Sequence, residues 1–363
     1  AFQYWVLMDL FGNVPFITDA DALGATIPTQ IQRKDLFNYI ESELKAIEPD
    51  LAAARVNEYG RADKGAAWSL LARMYLNAEV YTGTARYTDA VTYSKKVIDA
   101  GYSLISNYRN LMLADNHLNT SEFIFTINYD GLRTQGYGGT TYLVHASVVD
   151  GMDAKNEFGI PSGGWFGLRT TKNLVQLFPD PDGTADKRAN FQKNNLEIND
   201  ISKSTDGYGI RKYKNVTRTG AIAPNIDAGG NFTDVDFPLF RLAEMYLIYA
   251  EAVLRGGTGG DAATALGYIN NIRTRAYGNA TGNIASGALN LDFILAERGR
   301  ELYWEGFRRT DLIRYKRFVE STYLWPFKGG VKDGRGVEGF RILYPIPSSD
   351  LTANPNLKQN TGY

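Results

Sequence analysis

Cysteine is absent from the 363 residues, and histidine occurs only as His117 and His145. The first absence excludes disulfides and thiolate metal sites. The second leaves only two copies of the commonest general base and metal ligand. Both histidines read as loop or packing residues, and no HExxH, GxSxG or GxxxxGK followed by Ser or Thr is present. No run of about 18 apolar residues exists, so no segment reads as a membrane-spanning helix. Lys and Arg number 39 against 40 Asp and Glu, a net charge of −1, which excludes a general basic footprint for nucleic acid. Glycoside hydrolysis survives these exclusions because it needs only two carboxylates, but no local motif favours it.

What is abundant is aromatic: 23 Tyr, 18 Phe and 5 Trp make up 13% of the chain. A chain rich in ring faces and poor in histidine suggests a binding protein more than a hydrolase. Its length suits one large domain or two small ones.

Helical periodicity dominates both ends of the chain. Residues 1–10 are apolar with helical spacing and stop at Gly12, Asn13 and Pro15. Residues 29–54 predict an amphipathic helix with Thr29 as N-cap and Ile31, Phe37, Ile40, Leu44 and Ile47 on one face. Helices over roughly 63–80 and 86–100 carry Leu71, Ala72, Tyr75, Ala90, Ser94 and Val97, a pattern that resembles a tetratricopeptide helix pair. The hexad Leu71-Ala72-Arg73-Met74-Tyr75-Leu76 returns as Leu242-Ala243-Glu244-Met245-Tyr246-Leu247, opening a second pair at about 238–254 and 261–276. The expected fold is therefore mainly α, with tetratricopeptide-like pairs within 29–105 and 236–278. Residues 106–235 interrupt them with a Gly-, Asn-, Thr- and aromatic-rich insertion. It contains one clear strand, 122–129, and segments such as 136–146 and 159–169 that read as loops. A loop-rich insertion of this length in a helical protein is usually functional. Residues 290–363 hold the last helices, to about 320, and an extended Pro- and Asn-rich tail.

The stretch 297–318 crowds charges around Leu302, Tyr303, Trp304, Phe307 and Tyr315. A catalytic site, a nucleic-acid patch and a scaffold of buried ion pairs compete as readings. Glu297, Glu301 and Glu305 lie four apart on one helical face among Arg298 and Arg300. Leu302 and Trp304 continue that helix, with Gly306 as its C-cap, and Arg308, Asp311 and Arg314 sit on the next. Charges of both signs alternate, which suits carboxylate–guanidinium pairs fixing a helix junction. Elsewhere Asp180, Asp182 and Asp186 surround Gly183 and faintly resemble a calcium loop, but the EF-hand order is broken. A solvated acidic turn is the default, and no other cofactor is expected.

The motifs Glu301-Leu302, Glu305-Gly306, Arg308, Asp311-Leu312 and Arg314 resemble the C-terminal signature of the SusD/RagB family, surface glycan-binding lipoproteins of Bacteroidetes. Phe11-Gly12-Asn13-Val14-Pro15 is similar to that family's early turn. The helix 239-LFRLAEMYLIYAEA-252 and the ending Tyr344-Pro345-Ile346-Pro347 to Asn354-Pro355, Gln359-Asn360 and Gly362-Tyr363 match it too; Thr361 departs from a common Pro. The resemblance implies a non-catalytic cell-surface receptor that holds an oligosaccharide over a TonB-dependent, SusC-like outer-membrane transporter. It further implies an anchor through a lipidated cysteine in an N-terminal part outside this sequence, which begins Ala1-Phe2-Gln3 without an initiator Met or signal peptide.

Sugar rings pack their C–H faces on Trp and Tyr while their hydroxyls need directional partners. Candidate rings in the insertion are Tyr129, Tyr137, Tyr142, Trp165 and Phe166, with Asp130, Arg133 and Gln135 as polar partners. Trp325, in a Pro- and Gly-flanked turn, is a further candidate. Loops 131–143 and 163–178 look closest to the starch-binding founder of the family, so α-glucan is the expected ligand. The alternatives are another glycan, a peptide, a glycoside hydrolase and a plain tetratricopeptide adaptor.

Overall fold

The computed structural model describes residues 1–21, 24 and 27–363. The elements in chain order begin with α1 (Phe2–Phe11), β1 (Val14–Phe16), β2 (Thr29–Ile31), α2 (Arg33–Ile47), α3 (Lys64–Leu76), α4 (Ala78–Thr82) and α5 (Tyr87–Asp99). The loop-rich part carries β3 (Phe123–Ile127), α6 (Gly139–Ser147), α7 (Lys172–Val175), β4 (Phe191–Gln192) and β5 (Gly209–Ile210). The chain continues with β6 (Phe237–Arg241), α8 (Leu242–Leu254), α9 (Ala262–Tyr277), α10 (Leu291–Leu302), α11 (Arg308–Arg314) and α12 (Ser348–Ala353).

The helical pairs form as expected. Asp63 caps α3 by accepting the Ala66 N–H at 3.1 Å, and Asp261 caps α9 by accepting that of Thr264 at 2.8 Å. Small residues line the contact between α3 and α5; Ala72, Ala90 and Ser94 are fully buried, so the backbones approach closely. Helix α8 stacks on α5, and α9 and α10 on α8. Helix α3 is buried almost all round, which explains its weak amphipathicity. The two hexads meet at the position where they differ. Arg73 donates to Glu244 through Nε and Nη2, both at 2.7 Å, with both side chains buried.

The glutamates of the C-terminal signature do fix a junction. Arg241 ends β6, and Glu122 immediately precedes its antiparallel partner β3, so strand pairing brings them to 3.0 Å. Arg241 also pairs with Glu301 at 2.6 Å and Glu305 at 2.7 Å, and Arg275 reaches Glu301 at 2.6 Å. The insertion contributes Arg188, paired with Asp186, Glu297 and Glu301, and Lys212, paired with Glu305 at 2.6 Å. Burial opposes ionisation of Glu297, but Arg188, Arg300 and Arg273 outweigh it and hold its carboxyl down at about 2. A network of this kind bolts the loop-rich segment to the helices. A second network joins Glu251 and Asp311 to Arg298 and Arg314.

Several expectations fail locally. Thr29 is no N-cap: residues 29–31 pair with β1, and α2 starts only at Arg33. Ile31 is partly buried and Ile47 exposed, while Leu36, Phe37, Ile40 and Leu44 form the buried face. Residues 237–241, expected to begin a helix, form β6 because β3 offers an edge for pairing. The supposed loop 136–146 contains α6. Helix α10 stops at Leu302; Trp304 turns to φ 62°, a left-handed conformation uncommon outside glycine. Among the described residues no helix is long and apolar enough to cross a membrane.

Candidate functional site

Helix α6 organises the insertion's aromatic residues. Gly138 precedes it, Tyr137 sits just before its start, Tyr142 lies in its first turns and His145 three residues later on the same side. The last carbonyls of a helix lack intrahelical donors. Here the segment 165–168 supplies them: Trp165 N–H donates to the His145 carbonyl at 2.9 Å, Phe166 to Val148 at 3.1 Å and Leu168 to Ala146 at 2.7 Å. Trp165 is thereby pinned against the helix, its indole stacked on the buried His145 ring at 4.7 Å between centroids. His145 in turn contacts the carbonyls of Gly163 at 2.8 Å and Asn231 at 2.7 Å, tying two loops together.

Tyr137 and Tyr142 each lie 6.1 Å from Trp165, and Phe232 lies 5.2 Å from Tyr137. The cluster faces solvent: Tyr137 is 64% exposed, Tyr142 42% and Trp165 40%, whereas Phe166, 46% exposed at a φ of 56°, makes no ring contact with them. Asp227 holds the Phe232 loop by accepting the backbone N–H groups of Asn231 at 2.6 Å, Phe232 at 2.7 Å and Gly229 at 3.0 Å. The result is an exposed run of adjoining rings resting on a buried imidazole and tethered loops.

The other candidates divide. Arg133 and Gln135 are exposed on the loop that leads into Tyr137. Asp130 accepts the Leu132 N–H at 2.9 Å and pairs with Arg133 at 2.5 Å, so its carboxylate shapes the turn. Tyr129 is half-buried with its hydroxyl under Gly139, where any Cβ would collide with it. Trp325 lies elsewhere, beside Phe318, Tyr323 and Lys328, and makes no ring contact with the Trp165 cluster. Phe232 and Asn231 join the cluster from more than 60 positions downstream of Trp165, a proximity no local sequence signal carries. His145, read as loop or packing, is a packing residue on a helix.

The acidic turn does not gather its carboxylates for an ion. Asp180 accepts the N–H groups of Asp182, Thr184 and Ala185, Asp182 pairs with Lys193, and Asp186 with Arg188. No group of three or more His, Asp or Glu able to hold a metal occurs among the described residues.

Comparison with known proteins agrees with this architecture. A model of the SusD family matches residues 190–363. The starch-binding protein SusD of Bacteroides thetaiotaomicron is 35% identical over 408 residues, covering 100% of this chain and 71% of that protein. A SusD superfamily protein from Parabacteroides distasonis superposes with a TM-score of 0.75 at 24% identity, covering 100% of this chain and 76% of the other. Surface glycan-binding protein A from Bacteroides thetaiotaomicron, solved in complex with laminarihexaose, gives a TM-score of 0.75 at 22% identity, covering 99% and 76%. The fold and the signature network are those of a helical-pair scaffold that carries a loop-rich insertion. The chain belongs to the SusD family.

Proposed function

We propose that this protein binds an oligosaccharide, without catalysis, on the ring cluster of Tyr137, Tyr142 and Trp165, with the exposed Phe166 beside Trp165 in the chain as a further ring. The observation that carries the reading is the exposed cluster itself, fixed from below by His145 and α6. Adjoining rings offer successive sugar units a continuous C–H stacking surface, and because each ring is already partly covered, stacking a sugar on it is worth about 1–1.5 kcal/mol. Arg133 and Gln135, one loop away, supply donors and acceptors for hydroxyls.

The sugar is an α-glucan of the starch type, a choice supported by the 35% identity to a protein named for binding starch. Residues 106–235 present the ligand and the helical pairs hold them in place. The receptor works at the outer face of the outer membrane, held by a lipid anchor, and passes its ligand to a SusC-like TonB-dependent transporter. Native affinity electrophoresis in gels containing starch, laminarin, levan, xylan or no polysaccharide tests the ligand. Retardation by starch alone is expected. Retardation by another polysaccharide would change the sugar, and migration unaffected by any would sink the glycan reading. Co-purification of a β-barrel transporter with the anchored protein tests the partner.

A further inference from the structure

Trp325 does not join the ring cluster, yet it walls a second cavity. This cavity has a volume of about 310 Å³ and lies between α10, α11 and the start of α7. Leu174, Leu302, Phe307, Leu312, Phe318 and Trp325 give it apolar walls. Phe318 and Trp325 also line an adjoining groove of about 720 Å³, which gives the cavity a route from solvent.

The charges on its wall do not balance. Arg298, Arg308 and Arg309 face a single carboxylate there, that of Asp311. Asp311 is already taken, by Arg298 at 2.9 Å and Arg314 at 2.8 Å. Arg309 pairs with Asp9 at 3.1 Å. Arg308 is the guanidinium of the three with no ion pair among the described residues. It is half-buried, its Nη1 donating to the Leu295 carbonyl at 2.8 Å and its Nη2 to the Tyr323 hydroxyl at 2.7 Å, neither of which carries charge. Taking a cation out of water without a counter-ion is costly, so this guanidinium calls for an anion.

The uncharged groups lean the same way. The Arg308 Nε–H, the Trp325 indole N–H and the Thr171 hydroxyl make no hydrogen bond within the protein, and none of the three is sealed from solvent. Side-chain acceptors are scarce by comparison. Asn173 Oδ1 is closed off, the Tyr303 hydroxyl donates to the Arg188 carbonyl, and the Tyr323 hydroxyl already accepts from Arg308. A hexose would bring about five hydroxyl protons to a wall with few acceptors for them, whereas a carboxylate only accepts. Tyr323 keeps the two strongest donors on one side of the cavity, with its hydroxyl on Arg308 and its ring 6.3 Å from that of Trp325. Lys328 steadies the indole, its ammonium 4.5 Å from the ring centre while it donates to the Glu320 and Tyr323 carbonyls. The volume is ample for a single ring, since an apolar cavity of about 150 Å³ accommodates benzene.

We propose that the Trp325 cavity is a second binding site, independent of the glycan surface, for a small organic carboxylate with an apolar body, of the benzoate type. The carboxylate pairs with Arg308, and the ring packs among Leu174, Leu302, Leu312 and Trp325.

Isothermal titration with sodium benzoate at constant ionic strength tests this, with benzamide and glucose as comparisons. Saturable binding of benzoate is expected, with benzamide, which keeps the ring but not the charge, about tenfold weaker and glucose undetectable. Arg308→Gln should weaken benzoate about tenfold and change benzamide little. Trp325→Leu, at a side chain that anchors no helix, should weaken benzoate while leaving the response to starch gels unchanged, and it decides the matter if Arg308→Gln does not fold. Absence of binding at about 10 mM benzoate, a concentration at which even a millimolar site would be largely filled, would overturn the proposal. So would benzamide binding as tightly as benzoate, wild-type benzoate affinity in folded Arg308→Gln or in Trp325→Leu, or displacement of benzoate by maltoheptaose. None of these outcomes bears on the glycan reading, which rests on other residues.

Discussion

Replacing Glu244 by Gln keeps the side chain's shape and removes its charge. The wild-type carboxylate takes two hydrogen bonds from Arg73, both at 2.7 Å, and neither partner sees appreciable solvent. Arg73 would then keep the Leu239 carbonyl at 2.6 Å and the faces of Phe240, Phe307 and Trp5, none of which neutralises a guanidinium. Breaking one partner of a buried pair costs about 3–5 kcal/mol. With an unfolding entropy of about 2.1 cal/mol/K per residue, a chain of 363 residues loses about 5 °C in Tm for about 4 kcal/mol. Replacing both partners by apolar residues, Arg73→Met with Glu244→Leu, should recover most of that loss, because the rings around Arg73 give the new side chains packing partners. Scanning calorimetry and urea midpoints on the wild type, Glu244→Gln, the single variants Arg73→Met and Glu244→Leu, and the double variant complete the cycle. Single variants within about 1 kcal/mol of wild type, or a double variant as unstable as the two losses added, would refute the claim that this pair couples the two hexads.

Three other outcomes follow from the structure. Trp165→Ala and Tyr137→Ala should each weaken oligosaccharide binding about tenfold, with Tm nearly unchanged for the exposed Tyr137 and lowered for Trp165, whose loss uncovers the His145 ring; titration calorimetry and a thermal scan separate the two effects. Asp227→Ala removes the acceptor for three backbone N–H groups of the Phe232 loop, so affinity should fall about tenfold and amide exchange at 229–232 should quicken. Burial, aided by the charges of Asp130 and Asp236, pushes the Asp234 carboxyl up to about 6, so the folded state holds its proton more tightly than the unfolded chain does. Stability from this group is complete at low pH and is lost as pH rises from about 4 through 6. Asp234→Asn should therefore gain Tm relative to wild type at pH 7.5 but not at pH 4, and a constant difference across that range would contradict the sign.

The helical pairs were legible because their signals are local, periodic apolar residues and a repeated hexad, although the capping residues Asp63 and Asp261 were not picked out. The charge pattern of 297–305 likewise disclosed a scaffold, since alternating signs on one helical face have few other uses. Its partners Arg188, Lys212 and Glu122 could not be named, because they arrive from other segments. Helix α6 escaped notice because Gly136, Gly138 and Gly139 and two threonines mask a helix that tertiary contacts stabilise. Strand β6 was hidden for a related reason: 239-LFRLAEMYL-247 has one helical period, and only pairing with β3 divides it. In the candidate site, Tyr137, Tyr142 and Trp165 were legible as rings in glycine-rich loops. Their juxtaposition depends on hydrogen bonds between α6 and residues 165–168, and Phe232 joins by pure long-range packing.

The central claim is that the α6 ring cluster is where this family member holds its sugar. Titration of maltoheptaose into the wild-type protein and into Tyr137→Ala/Trp165→Ala, both verified as folded, tests it most directly. Measurable binding by the wild type and its loss in the double variant is the expected result. Equal affinity in the two proteins would place the sugar elsewhere and contradict the account.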